Sequence, residues 1–322
     1  MFDQLDMNTL SEKPTLIAID WGTSNFRAFL LNAAGDILET RFAKRGLLHV
    51  PRGDFATVLQ QQIGDCLTDN AKIPIVMSGM VGSKKGWQEA PYLMCPVMLD
   101  DLASGLQKVE RQDNTWIVPG LRINYPDGRV DVMRGEETQI LGCLASDIHT
   151  PQVFCLPGTH SKWAWVEAGK LQRFTTFMTG EIFNLLFKHS ILGKSTKHPH
   201  LNIRAFYQGI EWAERPESLL SQLFQVRTQM LAENLATEDI HSFLSGLLIG
   251  HELSSVFEQN SRAQGNALDH VSIVANRRVS QLYAKAITKH QLQSVVMDIE
   301  QVTAKGIFKI AQQAGLIPSS TL

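Results

Sequence analysis

The chain has 322 residues, 44% hydrophobic and 19% charged, which supplies substantial cores and suggests two domains. Lys+Arg number 30 against 32 Asp+Glu, a formal charge of -2, so no bulk signal for nucleic acid exists, while a few local cations could still hold a small anion. The opening MFDQLDMNTLSEKP lacks a basic or apolar leader segment and no apolar run is long enough to span a bilayer, so a cytoplasmic location and no membrane partner are expected. Cys66, Cys95, Cys143 and Cys155 form no close ligand pair, and the ten histidines form no HExxH motif, which argues against a zinc site.

Residues 1–14 are expected to be a flexible arm. Strands are expected over 15–19, 26–31 and 37–41, with a glycine turn in GTSN and a second turn at Ala34-Gly35-Asp36. Phe55, Val58, Leu59, Ile63 and Leu67 recur at helical spacing, and 73–77 is a short apolar strand ending in SGMVGSKKGW. A strand follows at 116–118; then PGLRINYPDGRVDVMRGEE is polar and turn-rich, and a helix begins at Glu136. Strand 153–156 enters a second Gly-Thr turn. Helices are expected from Gly180 to Phe187, Ser218 to Leu235, Glu238 to Phe257, Val279 to Lys289 and Thr303 to Gln313, with strands at 271–275 and 294–297. Gly246 and Gly250 share a helix face, at up to about 1 kcal/mol each in propensity, which suggests close approach of a neighbouring element or a ligand.

The organising feature is a repeat. GTSNFRAFLLNAAGDIL and GTHSKWAWVEAGKLQ share a Gly-Thr turn, an alternating strand, an Ala-Gly turn and a further strand, offset by one residue. Two domains around one duplicated core are expected, joined by the helix that starts near Glu136. There is no GxxxxGK[ST] and no GxGxxG after a strand, so neither a P-loop nor a Rossmann fingerprint applies. Successive N–H groups at a glycine-rich turn still make an anion-binding concavity, with a hydroxyl as extra donor. Gly22-Thr23-Ser24 and Gly158-Thr159-His160-Ser161 both have that composition, and two such turns could grip a polyphosphate from opposite sides. Asp20, at a strand end beside such a cradle, is then placed to hold Mg2+, directly or through water.

The ordered segments IAIDWGTSNFRAFL, VMSGMVGSKKGWQEAPYL, WIVPG, VMRGEETQILG, CLPGTHSKW, FMTGEIFNLL and FLSGLLIGHEL resemble the 2-dehydro-3-deoxygalactonokinase family. The likeness runs from about Thr15 to the end. It implies an α/β, two-lobed actin-like ATPase (ribonuclease H-like) fold with duplicated mixed-sheet domains and an interdomain cleft. Residues 15–142 would form the first domain and 143–322 the second. It also implies ATP- and Mg2+-dependent phosphorylation of the terminal hydroxyl of 2-dehydro-3-deoxy-D-galactonate. A close alternative is the gluconate epimer or another sugar acid, and a more distant one is a nucleotide-dependent sensor without transfer.

On this resemblance, Asp20 to Asn25 is the first phosphate loop, Gly158 to Lys162 the second, and Val271 to Val279, including Ala275 and Asn276, belongs to the adenosine side. The family usually has a glycine-containing turn where this chain has Asn276, a residue that tolerates the left-handed region. Glu136 matches in position the catalytic aspartate of related carbohydrate kinases and is the expected base. Glu137 is assigned to hydrogen bonding or the metal shell, although either glutamate could serve as base. For the acceptor, Gly79, Val81 and Gly82 offer backbone donors beside Ser83 and Lys84, and Ser24 and Asn25 could add donors. Trp87 or Trp21 could stack on the cyclic substrate. Arg134 could bind either substrate carboxylate or phosphate. His160 and Lys162 are assigned to phosphate contact or structure, and Thr179, Gly180 and Glu181 form a further helix-start loop near phosphate or substrate. Homodimerisation is allowed, since closed symmetric association is common.

Overall fold

The computed structural model describes residues 13–67, 73–144, 150–194, 200–262, 268 and 270–318, and the expected N-terminal arm falls almost wholly outside them. Two compact units emerge. The first comprises residues up to Thr150 together with Val166–Phe174 and Asp298–Leu322; the second comprises Pro151–Trp165 and Thr175–Met297.

The first unit opens with strands β1 (Leu16–Trp21), β2 (Phe26–Leu31) and β3 (Ile37–Ala43), followed by helix α1 (Phe55–Ile63) and strand β4 (Ile75–Ser78). Next come β5 (Tyr92–Met94), β6 (Val97–Met98), β7 (Gln107–Lys108), β8 (Thr115–Ile117), β9 (Gly120–Asn124) and β10 (Val130–Met133), then α2 (Glu136–Cys143). One sheet has the order β3-β2-β1-β4-β8-β7. Its β1–β2 and β2–β3 pairs are antiparallel, while β4 lies parallel to β1 and β8 parallel to β4. The strands β1 and β4 are buried along nearly their whole length, as their continuous apolar runs require of central strands.

The second unit contains β11 (Gln152–Leu156), β12 (Ser161–Glu167), β13 (Lys170–Phe177), α3 (Thr179–His189), α4 (Ile203–Ala213), α5 (Leu219–Leu231), α6 (Ile240–Arg262), β14 (His270–Val274), α7 (Arg277–Lys289) and β15 (Gln293–Met297). Its strand order is β15-β14-β11-β12-β13, with β14 parallel to both β11 and β15. This repeats the order β8-β4-β1-β2-β3 of the first unit, so the duplication expected from the two Gly-Thr turns is a duplication of sheet topology. The far end of the β12–β13 hairpin counts with the first unit, where Lys170 pairs with Met98 and Leu171 with Val97 on β6.

The last helix, α8 (Ile299–Gln313), follows the second unit in sequence but belongs to the first. It crosses α2 at backbone contact: a Cβ on Gly142 would lie 1.8 Å from the Val302 carbonyl oxygen, and one on Gly306 would lie 1.8 Å from that of Thr138. The start of α2, which carries both glutamates, is therefore fixed by its own helix packing. In the second unit, Gly246 and Gly250 serve helix packing, because Cβ atoms there would run into Phe206 O and Ala213 Cβ of α4.

Several boundaries follow caps. Asp298 accepts from Glu300 and Gln301 N–H and starts α8 four residues earlier than its apolar period suggests. Conversely, Gly64 ends α1, and residues 64–67 continue only as a 3-10 turn. The stretch expected to be turn-rich holds the β9–β10 hairpin, and α4 lies in a segment given no element from sequence.

Candidate functional site

In the first unit the chemistry gathers at the C-terminal ends of β1 and β4, where open α/β sheets commonly bind ligands. Asp20 pairs in register with Ser78 across the parallel strands. Directly after Ser78, Gly79 takes φ +97, and Gly135, just before α2, takes φ +108; both lie in the region that side chains rarely adopt. The two also touch, since a Cβ on Gly135 would lie 3.3 Å from Gly79 Cα, and a Cβ on Gly79 would lie 3.4 Å from Asp20 Oδ1. The structure thus brings Asp20, Gly79, Glu136 and Glu137 into one neighbourhood.

Asp20 Oδ2 accepts from Arg27 Nη1 at 3.0 Å, with Arg27 directly opposite on β2. Burial raises the Asp20 pKa, and the Arg27 guanidinium offsets part of that rise. The following turn closes through Gly22 N–H donating to Asn25 O at 3.0 Å. Its carbonyls at Ser24, Gly22 and Thr23 accept from Gly46, Leu47 and Leu48 N–H respectively, at 3.0–3.1 Å. The negative ends of this turn are therefore tied back, while Thr23 and Ser24 remain exposed.

The two glutamates part company. Glu136 is half-buried, and its Oε2 accepts the Arg134 N–H at 3.1 Å. Glu137 is fully buried; its two oxygens accept the Gly135 N–H at 2.8 and 2.7 Å, and Ser78 Oγ approaches at 3.5 Å. Glu137 therefore holds the start of α2 and does not open onto a substrate as a binding residue would. Arg134 is also buried: its Nη2 donates to Ala90 O at 2.7 Å and its guanidinium lies 4.4 Å over the Tyr92 ring, while Nε and Nη1 have no hydrogen-bond partner among the described residues.

The expected backbone donors of the 79–84 loop need correction. Val81 and Gly82 are buried, and the Gly82 and Ser83 N–H groups already donate to Gly79 O and Met80 O in a 3-10 turn. Ser83 Oγ is buried without a hydrogen-bond partner among the described residues, and Lys84 is exposed. Trp21 has no face to offer: it is fully buried, donates to Arg45 O at 2.8 Å and meets Phe26 and Phe55 edge-on. Trp87, half-buried, stacks on Phe55 with centroids 6.0 Å apart.

In the second unit the Gly-Thr turn opens onto a cavity of about 580 Å³, a size typical of small-molecule sites. Gly158, Thr159, Thr179 and Gly180 line it together with apolar Phe183, Leu248, Ile249 and Leu282 and with Asn276 and Arg278. Gly180 abuts the turn so closely that a Cβ would lie 2.1 Å from Gly158 O. Glu181 N–H donates to Thr159 O at 2.9 Å, and its carboxylate meets His160 Nε2 at 2.5 Å, so both fasten the turn to α3. His160, Ser161, Lys162 and Ala275 lie outside the lining, and Lys162 is only 6% exposed. Asn276 is not in the left-handed region: at φ -61 and ψ 153 it caps α7, accepting from Val279 N–H. A cavity of about 480 Å³ in the first unit is edged by Asp100, Asp101 and Gln313 and counts no glycine among its lining residues.

The family model described as 2-keto-3-deoxy-galactonokinase matches residues 20–310. The chain belongs to the 2-keto-3-deoxy-galactonokinase family. It is 35% identical over 301 residues to the 2-dehydro-3-deoxygalactonokinase of Escherichia coli (strain K12), covering 93% of this chain and 95% of that one. A crystal structure of a proposed 2-dehydro-3-deoxygalactonokinase from Sinorhizobium meliloti superposes with a TM-score of 0.86 at 31% identity, over 94% of this chain and 100% of that one. The activator of 2-hydroxyisocaproyl-CoA dehydratase from Clostridium difficile, solved with bound ADPNP, shares the fold at a TM-score of 0.52 and 13% identity, over 95% of this chain and 98% of that one. The protein is a sugar-acid kinase with the mixed α/β fold of the actin-like ATPases. No helix among its described residues is long and apolar enough to cross a membrane.

Two features of this kinase escaped the sequence reading. Arg27 could have been found, because a tight hairpin puts it opposite Asp20. A buried cluster at Glu252 could not: Trp163 Nε1 donates to Glu252 Oε1 at 2.7 Å, Tyr283 Oη to Oε2 at 2.8 Å, and Thr179 Oγ1 to the same Oε2.

Burial, then the neighbouring Glu136 charge, pushes Glu137 from an ordinary 4.5 up to about 8. Between those values the folded chain keeps a proton that the unfolded chain has released. Stability therefore falls with rising pH through that window, by at most about 1.4 kcal/mol per pH unit. Glu137→Gln keeps an acceptor for Gly135 N–H and removes the titration. Its urea midpoint should exceed the native one more at pH 8 than at pH 5.5; a constant difference would show that Glu137 does not carry this dependence.

Proposed function

We propose that this kinase transfers the γ-phosphoryl group of ATP to the 6-hydroxyl of 2-dehydro-3-deoxy-D-galactonate, giving the 6-phosphate and ADP by direct in-line transfer. The observation that carries the reading is the meeting of Asp20, Gly79 and Gly135–Glu137 at the ends of two parallel strands, each held by backbone contacts. Family membership supports the acceptor class, and the Escherichia coli relative carries the substrate in its name.

In this reading Glu136 accepts the proton of the attacking hydroxyl. Its hydrogen bond from Arg134 N–H fixes the carboxylate while leaving it half-exposed. Glu137 keeps the base in place through Gly135. The exposed Thr23–Ser24 edge supplies donors for phosphate, and the cavity of the second unit takes adenosine, with apolar walls for the base and Gly158–Thr159 toward phosphate.

Mg2+ would be held by Asp20, whose Oδ2 is engaged by Arg27 and whose Oδ1 faces Gly79. No group of three or more His, Cys, Asp or Glu side chains suited to a metal occurs among the described residues. A single carboxylate still fits Mg2+, which commonly takes phosphate oxygens and water as its other ligands. When bound, the ion would offset charge on the transferring group. The test is ADP release with ATP and Mg2+ over a panel of 2-keto-3-deoxy acids and neutral sugars. Strongest turnover on the galactonate derivative is expected; preference for a neutral sugar would overturn the assignment.

A further inference from the structure

We infer that Glu252 is a positioning residue for the nucleotide site, setting the spacing between the Gly-Thr turn, α3 and α7 around the second-unit cavity. This rests on the reading of that cavity as the adenosine site. Glu252 is 2% exposed near the middle of α6, and no wall of the large cavity is formed by it. Two of its three donors come from elements that line the cavity, α3 and α7, and the third from the strand that follows its Gly-Thr turn. Trp163 lies on β12, the strand that leaves the Gly-Thr turn; Thr179 opens α3; Tyr283 is on α7. Thr179 and Tyr283 themselves line the cavity.

The connection to the turn is direct. Ser161, the residue after Gly158-Thr159-His160, shares a hydrogen bond of 2.9 Å with Tyr283 Oη, which donates onward to Glu252. Thr179 precedes Gly180, whose backbone rests against Gly158. A carboxylate is acceptor-only, and these partners present one N–H and two O–H groups to it. An aliphatic residue would fill the space without the cost of burying a charge. What the carboxylate adds is direction: it fixes where β12, α3 and α7 stand relative to one another, and hence the gap in which the turn and the α3 start meet a ligand.

Glu252→Gln keeps size and replaces one acceptor with an NH2 donor. With the Trp163 N–H still accepted, that NH2 faces the Tyr283 and Thr179 hydroxyls, both of which must reverse. Tyr283→Phe removes the two hydrogen bonds of the tyrosine hydroxyl, to Glu252 and to Ser161, and leaves Trp163 and Thr179 on the carboxylate. The experiment measures KM for ATP and for the acceptor, the Kd of ADP by calorimetry, and the melting temperature, in the native chain and both variants. Glu252→Gln should raise the ATP KM and ADP Kd about tenfold, equivalent to one hydrogen bond to a charged group, with the acceptor KM within about twofold. Tyr283→Phe should move the same two constants by about threefold and decides the matter alone if Glu252→Gln does not fold. Variants that melt earlier but keep the native ATP KM and ADP Kd would reduce Glu252 to a core residue and overturn the inference. Absence of ADP binding by the native chain would overturn the cavity assignment and this role with it.

Discussion

Glu136→Gln should lower kcat by about a hundredfold or more, the usual contribution of a general base, while ADP affinity stays within about twofold of native. The amide keeps an oxygen that can accept the Arg134 N–H, so the loop should hold its shape. It cannot accept the proton of an attacking hydroxyl. Glu137→Gln is the internal control: the same chemical change on the neighbouring side chain should leave kcat near native at pH 7, because that carboxyl is buried and pushed up to about 8. If the two variants exchanged behaviour, Glu137 would be the base and Glu136 the support.

The second large effect is expected at Asp20. Asp20→Ala should cut kcat by roughly 10²–10³, the loss typical when one fixed electrostatic partner of a transition state is removed. Its cost in stability should be far smaller, on the order of 1 kcal/mol, because the Asp20–Arg27 pair is partly open to solvent, at 20% and 26% side-chain exposure. Titrating Mg2+ at fixed ATP checks the role. Half-saturation should move to higher Mg2+ in the variant, and an unchanged Mg2+ curve with a lowered kcat would assign Asp20 to orienting the turn instead.

Much of the frame was legible because it rests on local signals. The opening meander follows from short apolar runs punctuated by a glycine turn and an Ala-Gly turn, which bound β2 to the residue. A duplicated core was visible in the two copies of one turn-strand-turn pattern, and the structure adds that the sheet order is duplicated too. Elements with one wet face were harder. The β9–β10 hairpin carries Arg122, Asn124, Asp127 and Arg129, whose polarity hid its alternation, and α4 presents glycine and aromatic residues on its buried face.

The candidate site divides in the same way. The Gly-Thr turns, Asp20 and the Gly135–Glu137 segment could be named from type and position. Which glutamate is exposed could not, since that depends on α2 lying against α8, more than 150 residues further along the chain. Gly82 reads as a free donor for a different, local reason: nothing in its composition marks the 3-10 turn in which its N–H donates to Gly79 O. At Asn276 the substitution for glycine suggested a left-handed turn, whereas the residue serves as a helix cap, a role asparagine fills better than glycine does. Glu252 stayed hidden because its partners lie 89, 73 and 31 residues away and meet only in the folded second unit.

The most direct measurement is NMR of the product formed from 2-dehydro-3-deoxy-D-galactonate, ATP and Mg2+. Phosphorus coupling to the C6 protons, with one ADP formed per phosphate ester, is the predicted result. A phosphate on any other oxygen, or ADP and free phosphate with the sugar acid unchanged, would contradict it.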